Sequence, residues 1–318
     1  MATIKPVKPT QHNIKGFVML FYKNWDEVIK SVKTLPVARK VVVAAAEDEH
    51  ALEAVHEVVR DGLAEPILVG GRAGVEAVCA RLGLEVAPGN IYDEPEPEAA
   101  ARLAVALVRE GRGDFLMKGA LETSQLLKAV VNKETGLGLG KLMSHAAYLE
   151  IPRYHKMLVI TDGGMVPYPS LEQKKEILEH AVGMLRTLGY DQPKVAVLAG
   201  LEKVNPKMKE TVEAGALKEM NQRGEITGCL VEGPISMDLA LTAEKAALKK
   251  YESPVAGEAD ILLAPDLCLG NCVSKALIEM AGARMAGLVM GARCPIVVTS
   301  RASSAEEKYL SLVLAAAH

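Results

Sequence analysis

The sequence predicts an α/β fold built on parallel-rich sheets, and three observations carry that prediction. Short β-branched runs such as Lys40-Val-Val-Val-Ala-Ala-Ala46 and Pro295-Ile-Val-Val298 read as buried strands. Segments of helical period follow them, as Leu52, Val55, Val58 and Val59 do. The β, α, β order then repeats along the chain, which favours parallel strands joined by right-handed crossovers. With 318 residues the chain is long enough for two domains. The predicted organisation is a leader over 1–22, a first α/β domain from 23–142 and 289–318, and a second from 143–288.

Taken in order, residues 1 to about 22 read as an irregular leader by composition. Asn24 with Glu27 forms a capping box, and Val28, Val32 and Leu35 give a short helix. Lys40–Ala46 is the first buried strand, with Glu47-Asp-Glu49 at its carboxyl end. Pro66-Ile-Leu-Val-Gly-Gly71 is the second. Asp114-Phe-Leu-Met-Lys-Gly119 is another, and Leu121 to Val131 is the helix after it. Thr135-Gly-Leu-Gly-Leu-Gly-Lys141 is glycine-rich but lacks Walker spacing and a clear preceding strand, so it reads as a flexible connection between domains. Lys141 and Ser144 would face a ligand if the domains meet there.

The second half restarts the alternation. Met157-Leu-Val-Ile-Thr-Asp162 is a strand ending in an acid. Ser170 with Gln173 caps a helix reaching about Leu188, and Gly189 ends it. Strands follow at Lys194–Gly200, Thr227–Pro234 and Asp260–Asp266. Gly270-Asn271 opens a helix running to about Met280, and Leu288-Val-Met290 is a short strand. After Val298 the chain leaves the sheet through Thr299, Ser300 and Arg301. Ser303 with Glu306 forms a capping box, so a helix begins there, and Ser304 with Glu307 makes an equally good box one residue along. The carboxyl end of a parallel strand is where ligands sit, and a helix N-terminus suits an anion. An ordinary βα loop with a cap and a surface ion pair is the plainer reading.

Composition narrows the function classes. A net charge of −3 and a pI near 6.2 give no reason to expect nucleic acid. No apolar run approaches a membrane span, and Phe17–Tyr22 is too short for a signal peptide. Five cysteines at odd spacings fit a reduced, cytoplasmic compartment rather than a disulfide framework. Asp162, Glu232, Asp238, Asp260 and Asp266 are hard oxygen donors, but no two share a tight ligand spacing, so structural roles are favoured and no metal is expected. Cys268 and Cys272 have no second pair to complete a zinc site and read as small packing residues. His145 and His155 have no catalytic partner in sequence, and His180, on a capped helix, reads as a surface residue. No nucleophile elbow of a Ser-His-Asp hydrolase is present.

Several turns taken together resemble the phosphate acetyltransferase and phosphate butyryltransferase family. The matching segments are Leu116-Met-Lys-Gly119 with Thr123, Thr161-Asp162 with Pro167, and Glu232-Gly-Pro234 with Asp238. To these are added Ala259–Leu267 with Gly270-Asn271 and Lys275, and Ser300-Arg301. The run Val41 to Gly70 and the phrase Met117–Lys133 are more similar to the butyryl branch. The resemblance implies transfer of a short acyl group between CoA and inorganic phosphate, acyl-CoA plus phosphate giving acyl phosphate plus CoA. It implies two domains with a cleft, like isocitrate and isopropylmalate dehydrogenases, and a homodimer or larger assembly. CoA, acyl-CoA and phosphate are then substrates, with no permanently bound cofactor, nucleic acid or membrane.

In that scheme Glu307 takes the CoA thiol proton, Arg301 binds phosphoryl oxygens through its planar fork, and Ser300 donates a hydrogen bond to sulfur or the oxyanion. The family's base lies seven residues after the serine and is typically Asp in the acetyl branch; here it is Glu307, while Glu306 would serve the capping box. Substrate binding falls to Lys118, Gly119, Thr123, Lys141, Ser144, Asp162, Gly270, Asn271 and Lys275. Two other readings share the scaffold. One is a metal- and nicotinamide-dependent dehydrogenase of the isocitrate dehydrogenase type, which requires grouped magnesium aspartates. The other is a non-catalytic acyl-CoA-binding protein, against which intact Ser300, Arg301 and Glu307 count.

Overall fold

The computed structural model describes residues 11–14, 17–300 and 303–318, with side chains from 21 onward. β1 (Gln11–Ile14) and β2 (Phe17–Leu20) pair antiparallel, with Gln11 opposite Leu20. Within the irregular leader expected over 1–22, residues 11–14 and 17–20 are therefore corrected to two short strands, and 1–10 lie outside the described residues. Four residues each leave too little alternation to show a period of two in sequence. Phe21, Tyr22 and Trp25 are buried as well. α1 (Trp25–Val32) follows, with Asn24 Oδ1 accepting from Glu27 N at 3.0 Å.

The alternation then runs through β3 (Arg39–Ala44), α2 (Glu49–Arg60), β4 (Ala64–Gly70), α3 (Arg72–Leu82), β5 (Ile91–Asp93), α4 (Pro97–Arg109), β6 (Phe115–Lys118) and α5 (Thr123–Val130). It continues through β7 (Ser144–Glu150), β8 (Leu158–Thr161), α6 (Leu171–Thr187), β9 (Lys194–Leu198), α7 (Lys209–Gln222) and β10 (Leu230–Ile235). α8 (Met237–Leu241), α9 (Ala243–Leu248), β11 (Ile261–Leu263), α10 (Leu267–Ala281), β12 (Arg284–Met290), β13 (Ile296–Val297) and α11 (Ala305–Ala316) complete it. Among the described residues no helix is long and apolar enough to cross a membrane.

Contacts divide the chain into two compact units, one of residues up to 28 with 142–285, the other of 29–141 with 286–318. The first orders its strands β10–β9–β11–β8–β7. All pairs in this order are parallel except β7 with β8, whose antiparallel register sets Ala146 beside Thr161. β7 was not anticipated from sequence. Leu149, Leu158, Ile160, Leu198, Ile235 and Leu262 form its core. The second orders its strands β12–β13–β6–β3–β4–β5, parallel except between β12 and β13. Val42, Val43, Leu68, Leu116 and Met117 are wholly buried there, and α11 packs on α2. Sheets buried on both faces explain why these strands read as continuous apolar runs.

The amino ends of β8, β9 and β11 are tied by a buried ion pair. Lys156 Nζ donates to Asp260 Oδ1 at 2.6 Å and to the Glu258 carbonyl at 2.8 Å. Asp260 Oδ2 accepts from Lys194 N at 2.8 Å, so both carboxylate oxygens are engaged. Lys156 is only 2% exposed. Removing one partner strands the other charge away from water. Lys156→Met is accordingly expected to lower the unfolding free energy by about 3 kcal/mol, read from the urea midpoint at unchanged slope.

Candidate functional site

The turn after β13 is organised by hydroxyls. Ser303 N donates to the Ser300 carbonyl at 3.1 Å, and Ser300 N donates back to Ser303 Oγ at 3.1 Å. Ser303 Oγ in turn donates to Glu307 Oε1 at 2.6 Å. Ser304 is the N-cap of α11, accepting from Glu307 N at 3.1 Å. Of the two registers open in sequence, the helix takes the one capped by Ser304, one residue beyond Ser303. The physical reason is that the Ser303 hydroxyl is committed to Ser300 and Glu307, which leaves Ser304 to satisfy the helix N-terminus. Lys308, 6% exposed, donates from Nζ to the Ser303 carbonyl at 2.6 Å. Arg301 lies outside the described residues.

β6 runs parallel to β13, with Ile296 beside Leu116 and Val297 beside Met117, so Lys118 and Gly119 lie at the same carboxyl end as Thr299 and Ser300. Lys118 Nζ donates to the Gly119 and Leu121 carbonyls at 3.1 and 3.0 Å, tying the turn. Gly119 is required by close approach: a Cβ there would run into the Ala44 and Ala45 carbonyls. Thr123 is the first residue of α5, half-buried, with Glu122 as the cap in a capping box with Gln125. Lys141 is exposed and has no partner among the described residues. The glycine-rich stretch before it is anchored rather than flexible. Leu137 is fully buried, its N donates to the Val130 carbonyl, and Gly138 bridges Ala292. A strand follows it, where a phosphate loop requires a helix.

In the other unit the carboxyl end of β8 is held by Asp162. Its Oδ1 accepts from Gly164 N and Met165 N at 2.7 and 2.8 Å, and its Oδ2 from His145 N at 3.1 Å. The residue is 3% exposed, so its carboxylate builds the turn from within. Thr161 Oγ1 donates to the His145 carbonyl at 2.9 Å, fastening the start of β7 to the same place. Gly270 packs against this turn so tightly that a Cβ would strike the Asp162 carbonyl. Asn271 Nδ2 donates to the Gly163 carbonyl at 2.9 Å. Lys275, one turn further along α10, is exposed and has no partner among the described residues. α10 begins three residues before the predicted Gly270-Asn271 start, because Asp266 caps it by accepting from Leu269 N at 2.9 Å.

Ser144 is fully buried and its Oγ lies 2.9 Å from His180 Nδ1, so it is joined to α6. This corrects the plain surface reading of His180, which is half-buried against that hydroxyl. His145 was passed over in sequence for want of a partner. Its Nδ1 is buried with no hydrogen-bond partner among the described residues. Burial holds its pKa below the ordinary imidazole value, with the nearby Asp162 charge partly opposing. Of the other acids, Glu232 pairs with Lys218 at 2.6 Å, and Asp238 is held below the usual carboxylate range by a hydrogen bond from Ser236. Cys268 and Cys272 are both exposed, which corrects their reading as packing residues. The buried face of α10 is that of Gly270 and Ser274, and the thiols fall outside it. The hydrogen-bond interaction of the Cys268 S–H with Cys272 pushes the Cys268 thiol pKa up.

A family model described as phosphate acetyl/butaryl transferase matches residues 94–316. The phosphate acetyltransferase of Thermotoga maritima is 44% identical over 278 residues, covering 87% of this chain and 94% of the relative. The phosphate butyryltransferase of Clostridium acetobutylicum is 40% identical over 294 residues, covering 92% of this chain and 97% of the relative. Among solved structures, a branched-chain phosphotransacylase from Enterococcus faecalis V583 superposes with a TM-score of 0.77 at 30% identity, covering 88% of this chain and 99% of that one.

The contact between Gly270 and the Asp162 turn generates an expectation. Gly270→Ala must displace backbone, since the obstructing atoms are the Asp162 carbonyl and the Gly163 Cα. The variant is expected to lose about 2 kcal/mol of stability. Calorimetry of Gly270→Ala beside Gly183→Ala, where a Cβ meets open space, checks this.

Proposed function

The chain belongs to the phosphate acetyl/butaryl transferase family and is a phosphate acyltransferase, and on that premise we propose that it moves butyryl or a similar short acyl group between CoA and inorganic phosphate. In the direction of thioester formation Glu307 takes the CoA thiol proton, and the thiolate attacks the acyl carbon of the acyl phosphate. Phosphate then leaves with the electron pair of the cleaved C–O bond. Ser300 donates to sulfur or the developing oxyanion, and Arg301 holds the phosphoryl oxygens in a bidentate fork. The observation that supports Glu307 most directly is its 2.6 Å bond to Ser303 Oγ, the atom that also accepts from Ser300 N. That hydroxyl brings the serine turn and the carboxylate to one point.

The same reading gives Lys118, Gly119 and Thr123 on one unit, and Asp162, Gly270 and Asn271 on the other, the task of shaping substrate-binding turns. Ser144 is counted with the second of these, being next in sequence to His145, whose amide donates to Asp162. Lys141 and Lys275, exposed and unpaired among the described residues, suit the anionic groups of CoA. It extends to a fold related to the isocitrate and isopropylmalate dehydrogenases, a cytoplasmic setting, and a homodimer or larger assembly. The dehydrogenase and non-catalytic readings find no support in the family match.

The function is tested by CoA release from butyryl-CoA, expected to require phosphate and to persist with a chelator. Across acetyl-, propionyl-, butyryl- and isobutyryl-CoA, kcat/KM is expected to favour the four-carbon groups. The butyryl and branched-chain names of two relatives motivate this. One buried methylene contributes about 0.8 kcal/mol, so neighbouring lengths should differ by roughly fourfold. A clear preference for acetyl-CoA rejects the branch and leaves the family. For the base, Glu307→Gln is expected to lower kcat by about a hundredfold or more at an unchanged melting temperature. Glu306→Gln should keep kcat near wild type. Turnover and thermal midpoint of the two variants decide it.

A further inference from the structure

A glutamate used as a base has one more rotatable bond than an aspartate, and an unheld carboxylate spends its time in several rotamers. Glu307 is half-buried at the start of α11, and the one hydrogen bond to its carboxylate among the described residues comes from Ser303. The polarity of this contact is fixed by hydrogen count. Ser303 Oγ accepts from Ser300 N, so its single proton is free to point at Glu307 Oε1. A chain of two donors therefore runs from the Ser300 amide through the Ser303 hydroxyl to the carboxylate, each bond polarising the next.

Ser303 is itself held at both of its main-chain polar groups. Its N donates to the Ser300 carbonyl, and its own carbonyl accepts from the buried Lys308 ammonium at 2.6 Å. Capping is not its task, since Ser304 supplies the cap. Its hydroxyl is left with the carboxylate as its acceptor.

We infer that Ser303 is the positioning residue for the Glu307 carboxylate, fixing Oε1 and leaving Oε2 to face the thiol. The inference rests on Glu307 being the base. It assigns to a residue that resembles a simple helix cap in sequence a part in setting the rate. Lys308 acts one step further back, holding the main chain from which the hydroxyl projects.

The test measures kcat, KM for both substrates and melting temperature in Ser303→Ala, Ser303→Thr and Glu307→Gln. Ser303→Ala is expected to lower kcat on the order of tenfold, with both KM values and the melting temperature near wild type. Ser303→Thr, which keeps the hydroxyl, should restore most of the rate. An inactive Glu307→Gln beside a fully active Ser303→Ala overturns the positioning role and leaves the base assignment standing. An active Glu307→Gln overturns the base assignment itself. A Ser303→Ala loss that tracks a fall in melting temperature and is not rescued by Thr marks Ser303 as structural and also overturns the inference.

Discussion

A carboxylate with almost no contact with solvent must be met by donors, and at Asp162 the donors are three main-chain amides. Much of the unit around it follows from that requirement. The amides of Gly164 and Met165 close the turn after β8, and the amide of His145 draws the start of β7 onto it. Once the turn is closed, its carbonyls face α10, where only a glycine at 270 lets the helix come close enough for Asn271 to reach the Gly163 carbonyl. Without the acid, the donors, the glycine contact and the amide bond would each lose a reason to coincide.

The other unit solves a similar problem with cations. Lys118 and Lys308 spend their ammonium groups on carbonyls at two neighbouring turns. An ammonium offers three donors, so one side chain can gather a loop that would otherwise present orphan acceptors. The consequence is a division of labour among lysines. Those that shape loops are drawn inward, whereas Lys141 and Lys275 stay in solvent.

Much of this architecture is written in local pattern. β3, β8 and β11 are legible because strands buried on both faces read as unbroken apolar runs. The Ser170–Gln173 box marks α6 correctly because both of its reciprocal bonds form. The paired strands at 11–20 and the antiparallel β7 were not legible, since each depends on a partner distant in sequence or too short to show a period. The start of α11 was left open for a different reason. Two adjacent serines each stand three residues before a glutamate, and propensity cannot choose between them. Tertiary hydrogen bonds to Ser300 and Glu307 make that choice. Likewise Asp162 and Gly270 are visible as motif letters, but that one packs on the other is a property of the fold.

The exposed thiols of α10 carry a consequence for handling the molecule under air. Side chains four apart on a helix keep their Cβ atoms about 5–6 Å apart, whereas a disulfide needs about 3.5–4.5 Å. Cys268 and Cys272 can touch through a hydrogen bond, but they cannot be joined while the first turns of the helix stand. Forming an internal bridge would require those turns to unwind, and Gly270 and Asn271, which lie between the two cysteines, would be pulled from the Asp162 turn. The oxidant's easier course is to cap each sulfur separately with a small thiol, or to link one molecule to another. Oxidation of this helix is therefore expected to give mixed disulfides and covalent aggregates rather than an intramolecular clasp.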